Sequence, residues 1–204
     1  MATHPTDLQL TYFDMPGRGE FIRLLLTYGG IPFDDVRIKF QDWRATKTVL
    51  HLPFGQIPTL RANGKVYAQS LALARYAAKL AGLYPASNLV ALEADSLIDA
   101  ILENWDKYND IVYSDDDEAS KKIRLATIES AVFPQLLDAL NKRTVGPYFT
   151  GPEPTHADIY WFDFYKHALL EFPDIMELLH RDYLKLAAIA EAIRSSSQLA
   201  QYGQ

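Results

Sequence analysis

The chain contains no cysteine. Disulfides, cysteine nucleophiles, CxxC redox chemistry and thiolate metal sites are thereby excluded, and any sulfur chemistry has to use a thiol that a ligand brings. No apolar run reaches the length of about 18 residues at which a stretch reads as a membrane-spanning helix. Residues 1–10 are polar and lack the apolar core of a signal peptide. A soluble, cytoplasmic protein with no membrane partner is expected. Positive charge is scarce too: 20 Lys and Arg face 26 Asp and Glu, for a net charge of −6. The densest basic cluster, Lys121-Lys122-Ile123-Arg124, directly follows the acidic run Asp115-Asp116-Asp117-Glu118. Nucleic acid is therefore not an expected partner, and the acidic run reads as a solvated loop. His4, His51, His156, His167 and His180 show no HExxH-type pairing, so no metal site is expected. A G-x-S-x-G nucleophile elbow is also missing.

What is present is an ordinary globular composition, 49% hydrophobic and 23% charged, over a length that suits one generous domain or two small ones. The first part alternates strand and helix signals. Residues 8–13 are rich in β-formers and alternate, and after the turn-like stretch Asp14-Met15-Pro16-Gly17-Arg18-Gly19 an apolar helix opens at Phe21 and is stopped by Gly29-Gly30. Alternation returns over residues 35–40, and 41–50 reads as a short helix or irregular segment. Residues 56–61 and 65–68 flank Asn63-Gly64, the clearest hairpin turn in the chain. Ser70 is a good N-cap for a helix over 71–81 closed by Gly82. The order βαβαββα is that of an α/β thioredoxin-like domain. Beyond a linker at 84–88 the strand signals disappear, and residues 92–112, 119–140, 155–170 and 183–194 carry apolar residues at helical spacing. The expected organisation is a thioredoxin-like domain over 1–83 and an all-α domain over 89–204.

Several stretches carry a family resemblance. Leu10-Thr11-Tyr12-Phe13-Asp14-Met15-Pro16-Gly17-Arg18-Gly19-Glu20 resembles the opening of the tyrosine-type cytosolic glutathione transferases. Asp42-Trp43 with Lys47, Leu52-Pro53-Phe54-Gly55-Gln56-Ile57-Pro58, and Gln69-Ser70-Leu71-Ala72-Leu73-Ala74-Arg75-Tyr76 continue the pattern. Thr155-His156-Ala157-Asp158 looks like that family's helix-capping box, and its T-x-x-D spacing fits one. The stretches come in the family's order along nearly the whole chain, and the class they look most like is sigma, which includes the haematopoietic prostaglandin D synthases.

The resemblance implies that glutathione is the co-substrate and that the N-terminal domain holds it. A cysteine thiol has a pKa of about 8.5, so only about 3% is ionised at pH 7; lowering that value by about two units takes about 2.7 kcal/mol of preferential thiolate stabilisation. Tyr12 would donate its phenolic hydrogen bond to the sulfur, and Arg18 would add charge or hold the loop. Gln69 and Ser70 would meet the γ-glutamyl end, where a helix N-terminus favours a carboxylate. Pro58 resembles the family's cis-proline, with Ile57 pairing its backbone to the cysteinyl unit, and Gln56 stands where some relatives have lysine. Trp43 and Lys47 match the positions that meet the glycyl carboxylate. The family also borrows an acidic residue from a partner subunit, here Glu103 with Asp99 one turn before it, which implies a homodimer. Phe13, Met15, Trp105 and Tyr108 are the candidates for the pocket of a small hydrophobic electrophile. The implied activity is conjugation of glutathione to such electrophiles, in detoxification. The alternatives are a glutathione-dependent prostaglandin-type isomerase, or a glutathione-binding structural relative with little turnover. Asp95, Asp99 and Glu103 repeat every four residues and read as a solvated acidic helix face.

Overall fold

The computed structural model of the chain describes residues 7–200 and 202. His4 lies outside them. The backbone divides into two compact units: one runs to Tyr84 and takes in the stretch from Ser197 onward, the other is Pro85–Ser196. The sequence placed everything from 89 to the end in the helical domain. The stretch from Ser197 onward groups with the first unit, where Leu199 is buried and the Tyr202 hydroxyl bonds Glu20.

The first unit follows the expected order: β1 (Gln9–Phe13), α1 (Gly17–Tyr28), β2 (Asp34–Ile38), a 3-10 turn running into α2 (Trp43–Thr46), β3 (Thr59–Ala62), β4 (Lys65–Ala68) and α3 (Ser70–Leu80). The sheet order is β2-β1-β3-β4, with β1 parallel to β2 and antiparallel to β3, and β3 antiparallel to β4. Leu10, Thr11 and Tyr12 are all buried because β1 is an inner strand, covered on both faces. β2, at the edge, buries only Ile38 and ends there, two residues short of the predicted 35–40, because Phe40 already begins the 3-10 turn.

The apolar run of α1 is buried from Phe21 to Leu26; full burial of each of Ile22, Leu24, Leu25 and Leu26 stabilises the fold by about 2 kcal/mol. α1 packs against α3, whose inward positions Ala74, Ala77 and Ala78 are small enough for close approach. At the end of that contact a Cβ on Gly29 would come within 2.4 Å of the Ala81 Cβ.

The start of α3 differs from the expectation that Ser70 caps it. Leu73 N–H bonds the Gln69 carbonyl at 2.9 Å, the first bond of the helix, so Gln69 occupies the cap position and Ser70 is the first helical residue. At the other end Gly82 has φ 72°, Leu83 N–H reaches the Ala78 carbonyl at 2.8 Å, and Gly82 N–H reaches that of Lys79, which together make a Schellman stop. The hairpin turn is as predicted: Asn63 and Gly64 both have positive φ, 51° and 72°, as a type I′ turn needs.

The second unit is helical: α4 (Asn88–Val112), α5 (Glu118–Thr127), α6 (Phe133–Arg143), α7 (His156–His167), α8 (Pro173–Asp182) and α9 (Leu184–Arg194). The predicted continuous helix over 119–140 is broken by a π turn at Ile128–Val132. Pro134 has no N–H to donate one turn back, so the hydrogen-bond ladder cannot run through it unchanged. The helix expected over 155–170 closes at His167, followed by a 3-10 turn at Leu169–Glu171. α8 was not predicted, although Pro173 at its first position and Ile175 and Leu179 four apart on its buried side mark it.

α7 is the core of this unit. Nine successive residues, His156 to Phe164, are buried, with α4 and α9 packed on it and the Trp161 indole N–H donating to the Leu186 carbonyl at 2.9 Å. Its capping box is formed. The Asp158 carboxylate accepts from Thr155 N–H at 2.7 Å, the Thr155 hydroxyl at 3.0 Å and Phe149 N–H at 2.9 Å. Burial pushes the Asp158 carboxyl above its ordinary value, against the pull of those donors.

Candidate active site at one edge of the sheet

Strand register assembles the site. Thr11 on β1 pairs with Thr59 on β3, and Thr59 pairs with Ala68 on β4. Tyr12, one residue past Thr11, therefore lies at the same sheet edge as Pro58, one before Thr59, and Gln69, one past Ala68. On the other side Phe13 pairs with Ile38, so the segment through Phe40 to Trp43 leaves β2 at that edge as well. Four stretches distant in sequence meet because three strand pairings bring them there.

Tyr12 is buried, with 8% of its surface exposed. Its hydroxyl accepts a hydrogen bond from the backbone N–H of Arg18 at 3.1 Å, while the Arg18 residue itself is exposed. The intervening turn fits the ring through two glycines. A Cβ on Gly17, where φ is +47°, would lie 2.8 Å from the Tyr12 hydroxyl oxygen, and one on Gly19 would lie 2.5 Å from the ring carbon Cδ1. Gly17 thus serves both a backbone conformation and a close approach.

Below this turn sits a residue that the sequence reading passed over. Arg23 is fully buried, and its guanidinium serves acceptors on four residues: both Asp35 carboxylate oxygens from Nε at 3.0 Å, Met15 O from Nη1 at 2.9 Å, Glu20 Oε2 from Nη1 at 3.2 Å, and Phe13 O from Nη2 at 3.1 Å. Its Cζ stands 5.8 Å from the centre of the Tyr12 ring. The signal was available: an arginine within Phe21-Ile22-Arg23-Leu24-Leu25-Leu26 is a charge in an apolar run, and a buried charge needs partners. Arg37, beside Asp35 at 2.7 Å, is held above its usual pKa by Asp35 and Asp14, which outweigh its partial desolvation.

The remaining predicted residues of this unit lie as follows. The Ile57–Pro58 bond is cis, Pro58 is buried, Ile57 is half-buried and Gln56 is exposed. Gln69 is exposed and has φ 77°, a left-handed conformation rare for a side-chain-bearing residue and found preferentially at functional sites. Ser70 is half-buried. Trp43 packs edge-on against the Phe13 ring at 5.3 Å, and the Lys47 ammonium stands 5.6 Å from the Trp43 ring centre. Phe13 also touches Phe40 and Tyr12, both with ring centres 5.4 Å away, so it joins the Tyr12 strand to the Trp43 segment. Met15 is half-buried.

The other predicted residues belong to the helical unit. Asp99 and Glu103 are exposed on α4, and Glu103 accepts from Lys107 at 2.8 Å, a bond that lowers its carboxyl pKa. Trp105 and Tyr108 are buried in the unit's core, Trp105 against Tyr160 and Phe164, Tyr108 against Phe172. The Tyr108 hydroxyl donates to Glu171 at 2.5 Å; burial first, and that bond second, push its phenol up beyond its ordinary range. Among the described residues no cluster of three or more His, Asp or Glu is gathered as a metal would need, and no helix is long and apolar enough to cross a membrane.

Residues 8–79 match the family described as Glutathione S-transferase, N-terminal domain, and residues 103–204 match Glutathione S-transferase, C-terminal domain. The chain is 35% identical to a Glutathione S-transferase of Anopheles gambiae, covering 86% of this chain and 90% of that one. It is 31% identical to the Hematopoietic prostaglandin D synthase of Gallus gallus, over 96% and 94% of the two chains. Among solved structures, prostaglandin synthase D of Nilaparvata lugens superposes with a TM-score of 0.84 at 28% identity, over 95% of each chain. With both halves matched, in order and along nearly the whole length, the chain belongs to the glutathione S-transferase family, enzymes that take glutathione as co-substrate.

Proposed function

We propose that this protein binds glutathione along the sheet edge at Tyr12, lowers the pKa of its thiol and transfers the thiolate to small hydrophobic electrophiles. The observation that carries this reading is the Tyr12 hydroxyl, buried at a strand end and aimed by the Arg18 amide. A phenol that accepts an N–H bond becomes a better donor, and a donor to sulfur favours the charged thiolate over the neutral thiol. In the transfer step the thiolate's electron pair forms a carbon–sulfur bond. The bond from that carbon to its leaving group breaks, the leaving group departs with its electrons, and the thiol proton has already gone to solvent.

The rest of the edge suits the rest of the tripeptide. Ser70 heads an eleven-residue helix whose first N–H groups have no intrahelical partner, a setting for the γ-glutamyl carboxylate, with Gln69 beside it. Ile57, held next to Pro58 with Gln56 on its other side, offers its backbone to the cysteinyl unit. Trp43 and Lys47 supply an N–H and a positive charge for the glycyl carboxylate. Phe13 and Met15, adjoining Tyr12, face the electrophile's side in this reading, and Phe13 steadies Trp43 as well. We assign a homodimer in which Glu103, exposed on α4 with Asp99 near it, meets the γ-glutamyl ammonium bound to a second copy. A cytoplasmic place and a detoxifying role go with membership of this family in our reading. A prostaglandin-type isomerisation would employ the same thiolate; the likeness to the Gallus gallus synthase favours it as the second reading.

The deciding experiment is an ultraviolet titration of glutathione bound to the wild type and to Tyr12→Phe. The wild type should hold the thiol well below its usual pKa of about 8.5 and the variant should return it towards that value. Binding with no shift would favour a non-catalytic relative. Conjugation of an aryl chloride, set against isomerisation of a prostaglandin endoperoxide, separates the two enzymatic readings.

A further inference from the structure

The network under Tyr12 extends to a residue far along the chain. Tyr202, 182 positions beyond Glu20, donates its phenolic hydrogen to Glu20 Oε1 at 2.9 Å. Its segment is anchored in the same unit, with Leu199 buried and Tyr202 N–H bonded to the Leu199 carbonyl at 2.8 Å. The second oxygen of Glu20 accepts from Arg23 Nη1, which also donates to the Met15 carbonyl. A chain of bonds therefore runs from Tyr202 through Glu20 and Arg23 to the carbonyls of Met15 and Phe13, on either side of Asp14 in the turn that ends at the Arg18 amide.

We propose that Tyr202 is a positioning residue for thiol activation, acting through Glu20 and Arg23 on the turn that aims the Tyr12 hydroxyl. The inference rests on the reading of Tyr12 as the donor to glutathione. Glu20 is only 5% exposed, and a buried carboxylate requires hydrogen-bond donors. The Tyr202 hydroxyl is a neutral donor that satisfies Oε1 without adding charge. When it is removed, Glu20 draws harder on the Arg23 guanidinium. Nη1 is shared, so a shift towards Glu20 loosens the bond to the Met15 carbonyl. The Met15 carbonyl lies only three residues before the Arg18 amide, and the two residues between are a proline and a glycine held against the Tyr12 ring. The amide-to-hydroxyl bond is what this slack reaches.

Tyr202→Phe keeps the ring and deletes only the oxygen. In the full chain, the thiol pKa of bound glutathione should rise by about half a unit, a threefold loss of thiolate on the acid side. The Arg18 amide should exchange with solvent several-fold faster even without glutathione, while glutathione affinity changes by less than about twofold, since Tyr202 acts on the turn and not on the ligand's binding groups. Adding Glu20→Gln, which cannot attract the guanidinium as a charge does, should return both readouts towards wild type; a mere packing role for Tyr202 predicts no such rescue. Unchanged thiol pKa in Tyr202→Phe overturns the proposal, whether or not the amide exchanges faster. Were the single variant not to fold, recovery of a wild-type thiol pKa in the double variant would support the relay, and its failure would overturn it. A wild type that binds glutathione without lowering its pKa would refute the Tyr12 reading itself, before any change at Tyr202 is considered.

Discussion

The Arg18 amide and the Tyr12 hydroxyl meet across 3.1 Å, so the turn between them is closed by the group that it positions. Gly19 is the tightest point of that closure, its virtual Cβ within 2.9 Å of Tyr12 Cβ, Cγ and Cδ1 alike. These are the stem of the side chain and cannot swing aside as a flexible tip would. Gly19→Ala should cost about 1–3 kcal/mol of stability through overpacking and should displace the ring. The thiol pKa of bound glutathione should then rise together with the fall in conjugation rate, measured alongside the unfolding midpoint.

Arg23→Met keeps the volume of the side chain and removes its charge. Asp35, Glu20 and the carbonyls of Phe13 and Met15 then lose the donor they share, itself fully buried. Breaking a buried charge network by deleting one side is worth about 3–5 kcal/mol, so urea unfolding should show a large loss. Arg23→Lys should recover only part of it, because an ammonium cannot span acceptors on four residues as a planar fork does.

Asp158→Ala should leave Phe149 N–H and Thr155 N–H without their acceptor inside the helical unit. The expected loss is at least about 2 kcal/mol, seen in the midpoint of chemical unfolding. Glutathione affinity, measured by calorimetry on folded protein, should stay close to wild type. Equal losses in both would refute the purely structural role.

Asp7 supplies a pH signature. Its carboxylate accepts from Gly64 N–H at 2.7 Å and Asn63 N–H at 2.6 Å, and these backbone bonds lower its pKa below the usual 3.8. A carboxyl with a depressed folded pKa contributes stability that is fully present above the unfolded value and is lost as pH falls through the folded one. The stability difference between wild type and Asp7→Asn should therefore be constant above about pH 5 and shrink as pH drops below 3.8. A difference that stayed constant down to pH 3 would show that the carboxylate charge is not what the hairpin uses.

The parts of the fold that sequence discloses are those set by local chemistry. Asn63-Gly64 announces its hairpin because few other residues take two positive φ angles in a row. Thr155 and Asp158 announce a helix start because their side chains answer nearby backbone groups. The break at Ile128–Val132 was less visible, since the apolar spacing runs through it and only Pro134 marks it. At the candidate site Tyr12, Pro58, Gln69 and Ser70 were legible through a family pattern. Tyr202 was not, and Arg23 showed only as a charge in an apolar run, because their partners come from distant parts of the chain: Asp35 on β2 for Arg23 and Glu20 on α1 for Tyr202. The cap at α3 was misplaced by one residue because the left-handed Gln69 starts the helix early, and a residue's φ is not written in its side chain.

The pairing of Thr11 with Thr59 and of Thr59 with Ala68 also constrains how such a protein can change over generations. The turns at Gly29-Gly30 and Asn63-Gly64 lie at the opposite edge of the sheet, so added residues there leave the seat of Tyr12, Pro58 and Gln69 in place. A slip of β3 by one residue would carry Pro58 and Gln69 away from Tyr12 and reverse the faces of the strand in the same stroke. Point substitutions can therefore retune or silence this seat at little risk to the sheet, but no gradual path moves it elsewhere. The location of the chemistry is inherited with the hydrogen-bond ladder, and only its contents are open to selection.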